Sequence, residues 1–304
     1  MLITKQEFYY WAFGLYIKSN IQMEELPRLQ ELTNLDLEIN IKKVQSLTIS
    51  SSEYEFINDG DTVIFHVPEV VTFYMDYGKT INAECLQSSD MQLIKLYILG
   101  TCMGIILLQR EILPLHGSLI EINGKAYAFV GHSGAGKSTL ASSFINQGYK
   151  LVSDDLIAVT LKDGQPWVVP SYPQQKLWQE SLNIFGMERS GYDSIYGREE
   201  KYCIPINSHF YSEPLPLGGI FELVKADQTA VEIRSIPSLN RFHLLFTHTY
   251  RNFLLHKLNI MDWHFSLSTE IIPNIITYQI QRPIVGVTVG EITELILKTI
   301  KSGE

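Results

Sequence analysis

The run Gly131-His132-Ser133-Gly134-Ala135-Gly136-Lys137-Ser138 restricts the fold of this chain more than any other stretch. It satisfies G-x-x-x-x-G-K-[ST], a pattern that works where a strand feeds a loop whose backbone N–H groups curl around phosphate oxygens and a helix begins directly behind it. Both flanks read accordingly. Lys125 to Val130 is strand-like, Thr139 to Gln147 reads as a helix ending at Gly148, and Tyr149 to Asp155 reads as the next strand. Such a strand, loop, helix, strand unit belongs to an α/β fold. Lys137 is expected to reach the β- and γ-phosphates of a nucleotide and Ser138 to offer its hydroxyl to Mg²⁺, with Gly131 through Thr139 as the nucleotide-binding set.

The strand after this helix closes in two adjacent acids, Asp154 and Asp155, at the carboxyl edge where open α/β sheets bind ligands. Side chains alternate along a strand, so both acids reach one site only if the strand ends there and the chain turns. One acid then holds the metal and the other faces an acceptor hydroxyl, an arrangement suited to a kinase more than to a hydrolytic ATPase. His116 lies fifteen residues upstream of Gly131 and on its own decides nothing.

Elsewhere the reading is coarser. Residues 1–88 hold strand-like stretches, among them Leu35 to Ile41, Thr62 to His66 and Val70 to Asp76, with a hairpin-type turn at Asn58-Asp59-Gly60. The aromatic run Phe8 to Ile17 is expected to be one strand. Residues 89–112 read as a connecting helix capped by Asp90, and residues 113–304 as the catalytic domain, entered through a hairpin turn at Asn123-Gly124. The apolar run Leu96 to Leu108 is too short for a bilayer crossing and is expected to be a buried helix. Phe185 to Tyr202, with three glycines among polar residues, reads as a mobile loop, and after Gly218 two strands and one or two helices are expected.

Composition limits the partners. The 304 residues carry 33 acidic and 24 basic side chains, a formal charge of −9, which argues against general nucleic-acid binding and favours a neutral or basic partner. With 45% hydrophobic residues the chain can bury a sizeable core. Cys85, Cys102 and Cys203 are odd in number and share no C-x-x-C spacing, so a reducing, cytoplasmic setting is expected.

Taken together, His116-Gly117, the Asn-Gly hairpin, Gly131 to Ser138 and Gly148-Tyr-Lys-Leu-Val-Ser-Asp154-Asp155 resemble the catalytic core of the HPr serine kinase/phosphorylase family over about residues 114–160. The resemblance implies a P-loop kinase core of the HPr kinase and phosphoenolpyruvate carboxykinase-like type, here behind a smaller, strand-rich α+β N-terminal domain. It implies that His116 takes part in catalysis, Lys137 binds phosphates, Ser138 and Asp154 hold Mg²⁺, and Asp155 deprotonates an acceptor serine. It also makes a homo-oligomer an expectation. Ser171-Tyr172-Pro173-Gln-Gln-Lys176-Leu177-Trp178 and Tyr10-Trp11-Ala-Phe-Gly-Leu are similar to stand-alone HPr-kinase homologues that phosphorylate the C-terminal serine of lasso-peptide precursors.

Phosphoryl transfer usually recruits a further basic group, and Lys176 is the first choice over Arg198, Arg241 and Arg251. A serine kinase acting on a peptide or small protein is thus the leading expectation. A kinase for free serine or a sugar, and an ATPase switch without a phosphorylated product, are the alternatives. The N-terminal domain is the expected place for substrate recognition. No N-K-x-D tetrapeptide supports guanine reading, and the spacing of His243, His248, His256 and His264 does not suit a metal site.

Overall fold

The computed structural model describes residues 6–49, 51–188, 191–195 and 198–303, a mixed α/β chain in two compact units. The first unit extends to Pro114 and takes in Phe253–Ile260; the second comprises Leu115–Asn252 and the residues from Met261 onward.

The first unit opens with β1 (Phe8–Ala12) and β2 (Leu15–Ser19). The expected single strand is therefore a hairpin. Phe13 and Gly14 both adopt positive φ, 55° and 74°, the requirement of a type I′ turn, and on either side of it alternate residues face inward. There follow β3 (Arg28–Leu29), β4 (Leu37–Val44), β5 (Glu55–Asp59), β6 (Thr62–Val67), β7 (Val71–Asp76) and β8 (Thr80–Leu86). These strands form one sheet in the order β3-β1-β2-β4-β8-β7-β6-β5.

Helix α1 (Met91–Tyr97) is capped by the Asp90 carboxylate, which accepts the Gln92 N–H. It runs through a π-helical turn at Ile98–Cys102 into α2 (Met103–Gln109). The whole stretch has the length and apolarity of a bilayer-spanning helix, yet most of it is buried inside the chain. The expected connecting helix is thus part of the first unit, with Ile98 and Met103 to Leu107 fully enclosed.

Strand β9 (Leu113–Ile122) carries the chain into the second unit and is followed by β10 (Lys125–Val130), the two joined by Asn123 and Gly124 at φ 52° and 78°. The glycine-rich loop leads to α3 (Lys137–Asn146). Next come β11 (Lys150–Lys162), β12 (Gln165–Val169), β13 (Gln174–Trp178), α4 (Gln179–Ile184), β14 (Asp193–Ile195) and β15 (Arg198–Pro205). The segment expected to be a loop from Phe185 to Tyr202 therefore carries two strands, which join β13 in a small sheet ordered β13-β15-β14. Residues 189–190 and 196–197 of that segment lie outside the described residues.

After Gly218 the chain is richer than expected. Strand β16 (Leu215–Ala226), β17 (Glu232–Ser235), α5 (Ser238–His248), α6 (Phe253–Lys257), α7 (Met261–Ile271), β18 (Ile276–Pro283) and α8 (Val289–Gly303) complete it. Of these, α6 belongs to the first unit, where Phe253 packs edge-on to Phe56 and Asn58 Nδ2 donates to the Lys257 carbonyl.

The second unit is built on the order β10-β9-β11-β12-β16-β18-β17, closed by a further pairing of β10 with β16. Strands β10, β16 and β18 are parallel, with Val130, Glu222 and Gln279 in register, so their carboxyl ends share one edge. Phe129, Phe144, Phe221 and the Ile292, Ile296, Ile300 face of α8 fill the core beneath that edge.

Candidate active site

The glycine-rich loop occupies the carboxyl edge of β10. Gly131, Gly134 and Gly136 have φ of 146°, 77° and 106°, values at which a side chain strains the backbone. Gly131 is further constrained because a Cβ there would meet the Leu223 carbonyl oxygen at 2.6 Å. Lys137 starts α3, is largely buried, and donates from Nζ to the carbonyls of Gly131 at 2.8 Å and His132 at 3.3 Å. Burial lowers its pKa from the usual lysine value, opposed by Asp154 and Asp155.

Both acids reach the site, by a route the sequence pattern does not suggest. Strand β11 does not end at the pair but continues to Lys162. Instead the backbone kinks within the strand: Asp155 adopts φ 75°, a left-handed conformation uncommon for any residue with a side chain and best tolerated by Asp and Asn. Strict alternation is broken there, and neighbouring carboxylates both reach Lys176.

Asp154 Oδ1 accepts from Ser118 Oγ at 2.6 Å and Ser138 Oγ at 3.3 Å, and its Oδ2 accepts the Lys176 amide N–H at 2.8 Å. Asp155 Oδ2 accepts from Lys176 Nζ at 2.7 Å. Lys176, on β13, thus ties down both acids, one through its backbone and one through its ammonium. Burial pushes the carboxyl group of Asp154 above the usual range. For Asp155 burial acts the same way but is outweighed above all by the charge of Lys176, with Lys201 adding to it, and the carboxyl is held well below that range. Burial tends to lower Lys176, yet Asp155 raises it far above an ordinary lysine.

His116 Nδ1 stands 2.9 Å from the Asp155 carbonyl oxygen and 3.4 Å from its Oδ1. Since a carbonyl only accepts, Nδ1 carries the proton, which leaves Nε2 as the free lone pair of the neutral ring. Burial favours that neutral form, against the pull of Asp155. The adjacent residue, Gly117, has no room for a side chain, because a Cβ would lie 2.5 Å from the Phe129 carbonyl oxygen.

The remaining sequence candidates divide. Ala135 offers its carbonyl to Arg282 Nε at 2.9 Å, and the His132 ring lies 5.9 Å from that of His248, whose Nε2 is 2.8 Å from Glu222 Oε1. Thr139 is turned to Ser181, hydroxyl to hydroxyl at 2.7 Å. Lys176 lies at the carboxylates, where its ammonium is the counter-charge of Asp155. Arg251 stands over the Tyr250 ring, itself 5.9 Å from His116. Arg241 is bonded to the Ile236 carbonyl, and the Arg198 side chain lies outside the described residues.

Four contributors were missed in the sequence: Ser118, Glu222, Lys201 and Arg282. Ser118 sits two positions after His116 on β9 and had a signal, since β9 lines the site by register with Phe129 on β10. Lys201, on β15, adds positive field at Lys137, His116 and both acids from within the segment read as a loop. Arg282 is 147 residues from Ala135 and had no local signal.

Chemically, Ser138 and Asp154 supply hydroxyl and carboxylate oxygens side by side, a hard donor set that suits Mg²⁺ completed by water and phosphate. Beside them stand an ionised carboxylate and a neutral imidazole, groups able to accept a hydroxyl proton.

The family model described as HPr Serine kinase C-terminal domain matches residues 109–200. Among curated proteins, the HPr kinase/phosphorylase of Lactobacillus gasseri is 30% identical over 129 residues, and that of Clostridium acetobutylicum 30% over 124; each alignment covers 40% of this chain and 40% of the relative. The Chloroherpeton thalassium protein of the same name is 43% identical over 47 residues, 16% of this chain and 14% of its own length. The chain therefore spans about two fifths or less of these relatives. Among solved structures, the Hpr(Ser) kinase/phosphatase of Coxiella burnetii aligns at 16% identity with a TM-score of 0.33, covering 62% of this chain and 95% of the other.

Proposed function

We propose that the chain is an ATP- and Mg²⁺-dependent phosphotransferase that moves a γ-phosphate to a serine hydroxyl of a peptide or small protein. The observation that carries this reading is the kink at Asp155, where Lys176 holds two adjacent carboxylates and Asp154 lies 3.3 Å from the Ser138 hydroxyl that closes the glycine-rich motif. Mg²⁺, when bound, neutralises charge on the β- and γ-phosphates, and Ser138 and Asp154 are the residues to hold it. Gly131 to Ser138 supply backbone donors and the N-terminus of α3 to the phosphate chain, with Lys137 on its outer end.

Asp155 then has the acceptor. Held ionised by Lys176, it accepts the hydrogen bond of an incoming hydroxyl at any pH near neutrality. Because phosphoryl transfer runs through a loose transition state, a carboxylate of low basicity still serves as proton acceptor. His116, anchored through Nδ1, keeps Nε2 as a second acceptor beside it. An acid placed to accept a hydroxyl proton favours a kinase over an ATPase switch. For the acceptor itself, the reading we put first is the C-terminal serine of a lasso-peptide precursor, on the strength of the motifs around Tyr10-Trp11 and Ser171 to Trp178.

The test is incubation with Mg²⁺ and γ-labelled ATP against HPr, free serine and peptides ending in serine. Label on a serine peptide is the expected outcome, and it should be lost in Gly131→Ala, whose Cβ collides with the Leu223 backbone. Label appearing only as inorganic phosphate would replace the kinase reading with an ATPase switch.

A further inference from the structure

Strand β18 ends beside the glycine-rich loop, on the side opposite the two acids. Along the sheet β11 lies to one side of β10, beyond β9, and β16 and β18 lie to the other. Residues at the end of β18 reach back: Arg282 donates from Nε to the Ala135 carbonyl at 2.9 Å, and its Nη2 would stand 3.6 Å from a Cβ on Gly136. Helix α8, which follows, is fastened to α3 by Thr293 Oγ1 donating to Ser143 Oγ at 3.0 Å. The segment between these two anchors is Pro283-Ile284-Val285-Gly286-Val287. It is apolar where a surface connection is ordinarily polar, and Ile284, Val285 and Val287 are 58%, 84% and 72% exposed. Gly286 at φ 105° and the buried ring of Pro283 shape this exposed turn.

A triphosphate along Gly131–Ser138 with its γ end at Lys137, Ser138 and Asp154, on the β11 side, would carry its α end away from that side, toward β18. We propose that residues 283–287 are the nucleoside-binding element of this site, with Ile284 and Val285 covering the flat apolar face of a nucleobase and Arg282 locking the turn to the phosphate loop. This inference rests on the nucleotide reading given above and adds where the base is held. An apolar turn gains by covering an aromatic base, whichever of its edges carries the polar groups. Among the described residues Arg282 Nη2 has no partner, so it is available as a donor to the α-phosphate or ribose.

The experiment is calorimetric titration of the full chain, with Mg²⁺ present, by ATP and separately by inorganic tripolyphosphate, which has the phosphates but no nucleoside. Wild type is compared with Val285→Asp, Ile284→Asp and the neutral Val285→Ser. All three substitutions fall on exposed side chains and leave the core intact. ATP is expected to bind wild type more tightly than tripolyphosphate, and the Asp variants to lose about ten-fold in ATP affinity while tripolyphosphate stays within about two-fold. Val285→Ser should fall between. Variants that bind ATP as wild type does, or that lose both ligands alike, would overturn the assignment. Wild type binding tripolyphosphate as tightly as ATP overturns it too while leaving the phosphate loop in place, whereas binding of neither ligand removes both readings.

Discussion

At Asp155 and Lys176 a buried ion pair and a strained backbone meet in one residue, and each explains the other. A left-handed Asp costs energy that only a well-held side chain repays, and the 2.7 Å contact with Lys176 holds it. Asn tolerates the same backbone region, so Asp155→Asn should fold while removing the proposed proton acceptor. Transfer to serine is expected to fall by about 10²–10⁴-fold with ATP affinity nearly unchanged, read by steady-state assay and titration. Lys176→Met instead leaves a buried carboxylate without its counter-charge and should cost roughly 3 kcal/mol or more in urea unfolding, much of it regained in the double variant with Asp155→Asn. The acid is held below its free value and the lysine above, so the pair stabilises the fold across neutral pH. That contribution disappears as pH falls through the depressed carboxyl value or rises through the elevated ammonium value. Equal stability of Lys176→Met and wild type at pH 7 would remove this account.

Among elements, what the sequence discloses is what is local. The β10-loop-α3 unit, the Asp90 cap and the Asn123-Gly124 turn are each encoded within a few residues, and each is legible. The hairpin at Phe13-Gly14 was equally local, but a run of aromatics hid its turn. The kink in β11 was not legible, because alternation predicts one face per acid and only partners from β9, α3 and β13 make the exception worth its strain. Arg282 and Glu222 reach the loop through sheet order, which no spacing records. Helices α5 and α7 give a further case. His264 on α7 is buried with Nε2 2.9 Å from Thr249 Oγ1, just past the end of α5, and burial holds its pKa at about 4. The unfolded chain binds a proton near pH 6.5 that the folded chain refuses, so stability declines as pH falls from about 6.5 toward about 4. Between pH 7 and pH 5 this histidine should account for roughly 2 kcal/mol of lost stability. His264→Gln should flatten that part of the pH dependence of the urea midpoint; an unchanged slope would show that His264 protonates without unfolding.

At the scale of the whole molecule, the division of the chain decides how a proposed role of the first unit in substrate recognition can be tested. Removing residues 1–85 is the obvious experiment and a poor one. It strips the sheet from α1 and α2, whose apolar faces are buried, and it abandons α6, which returns to the same unit from residue 253 onward. Substitution within the intact chain avoids this. In the first unit Glu7, Tyr9, Arg28, Leu29 and Gln30 line a cleft of about 400 Å³ along β1 and β3. Glu7 is the acidic anchor this cleft offers to the neutral or basic peptide that the chain's charge favours. Its carboxylate is already bonded to the Tyr9 hydroxyl at 2.8 Å and lies 3.6 Å from Lys18 Nζ, with Arg28 adding positive charge alongside. Glu7→Lys reverses that anchor at an exposed position and leaves the second unit untouched. If the first unit recognises the acceptor here, KM for a serine peptide should rise about five-fold with kcat and ATP affinity unchanged, the effect of one rim charge. A KM that stays at the wild-type value in Glu7→Lys, with the peptide still phosphorylated, would assign acceptor recognition to residues outside this cleft.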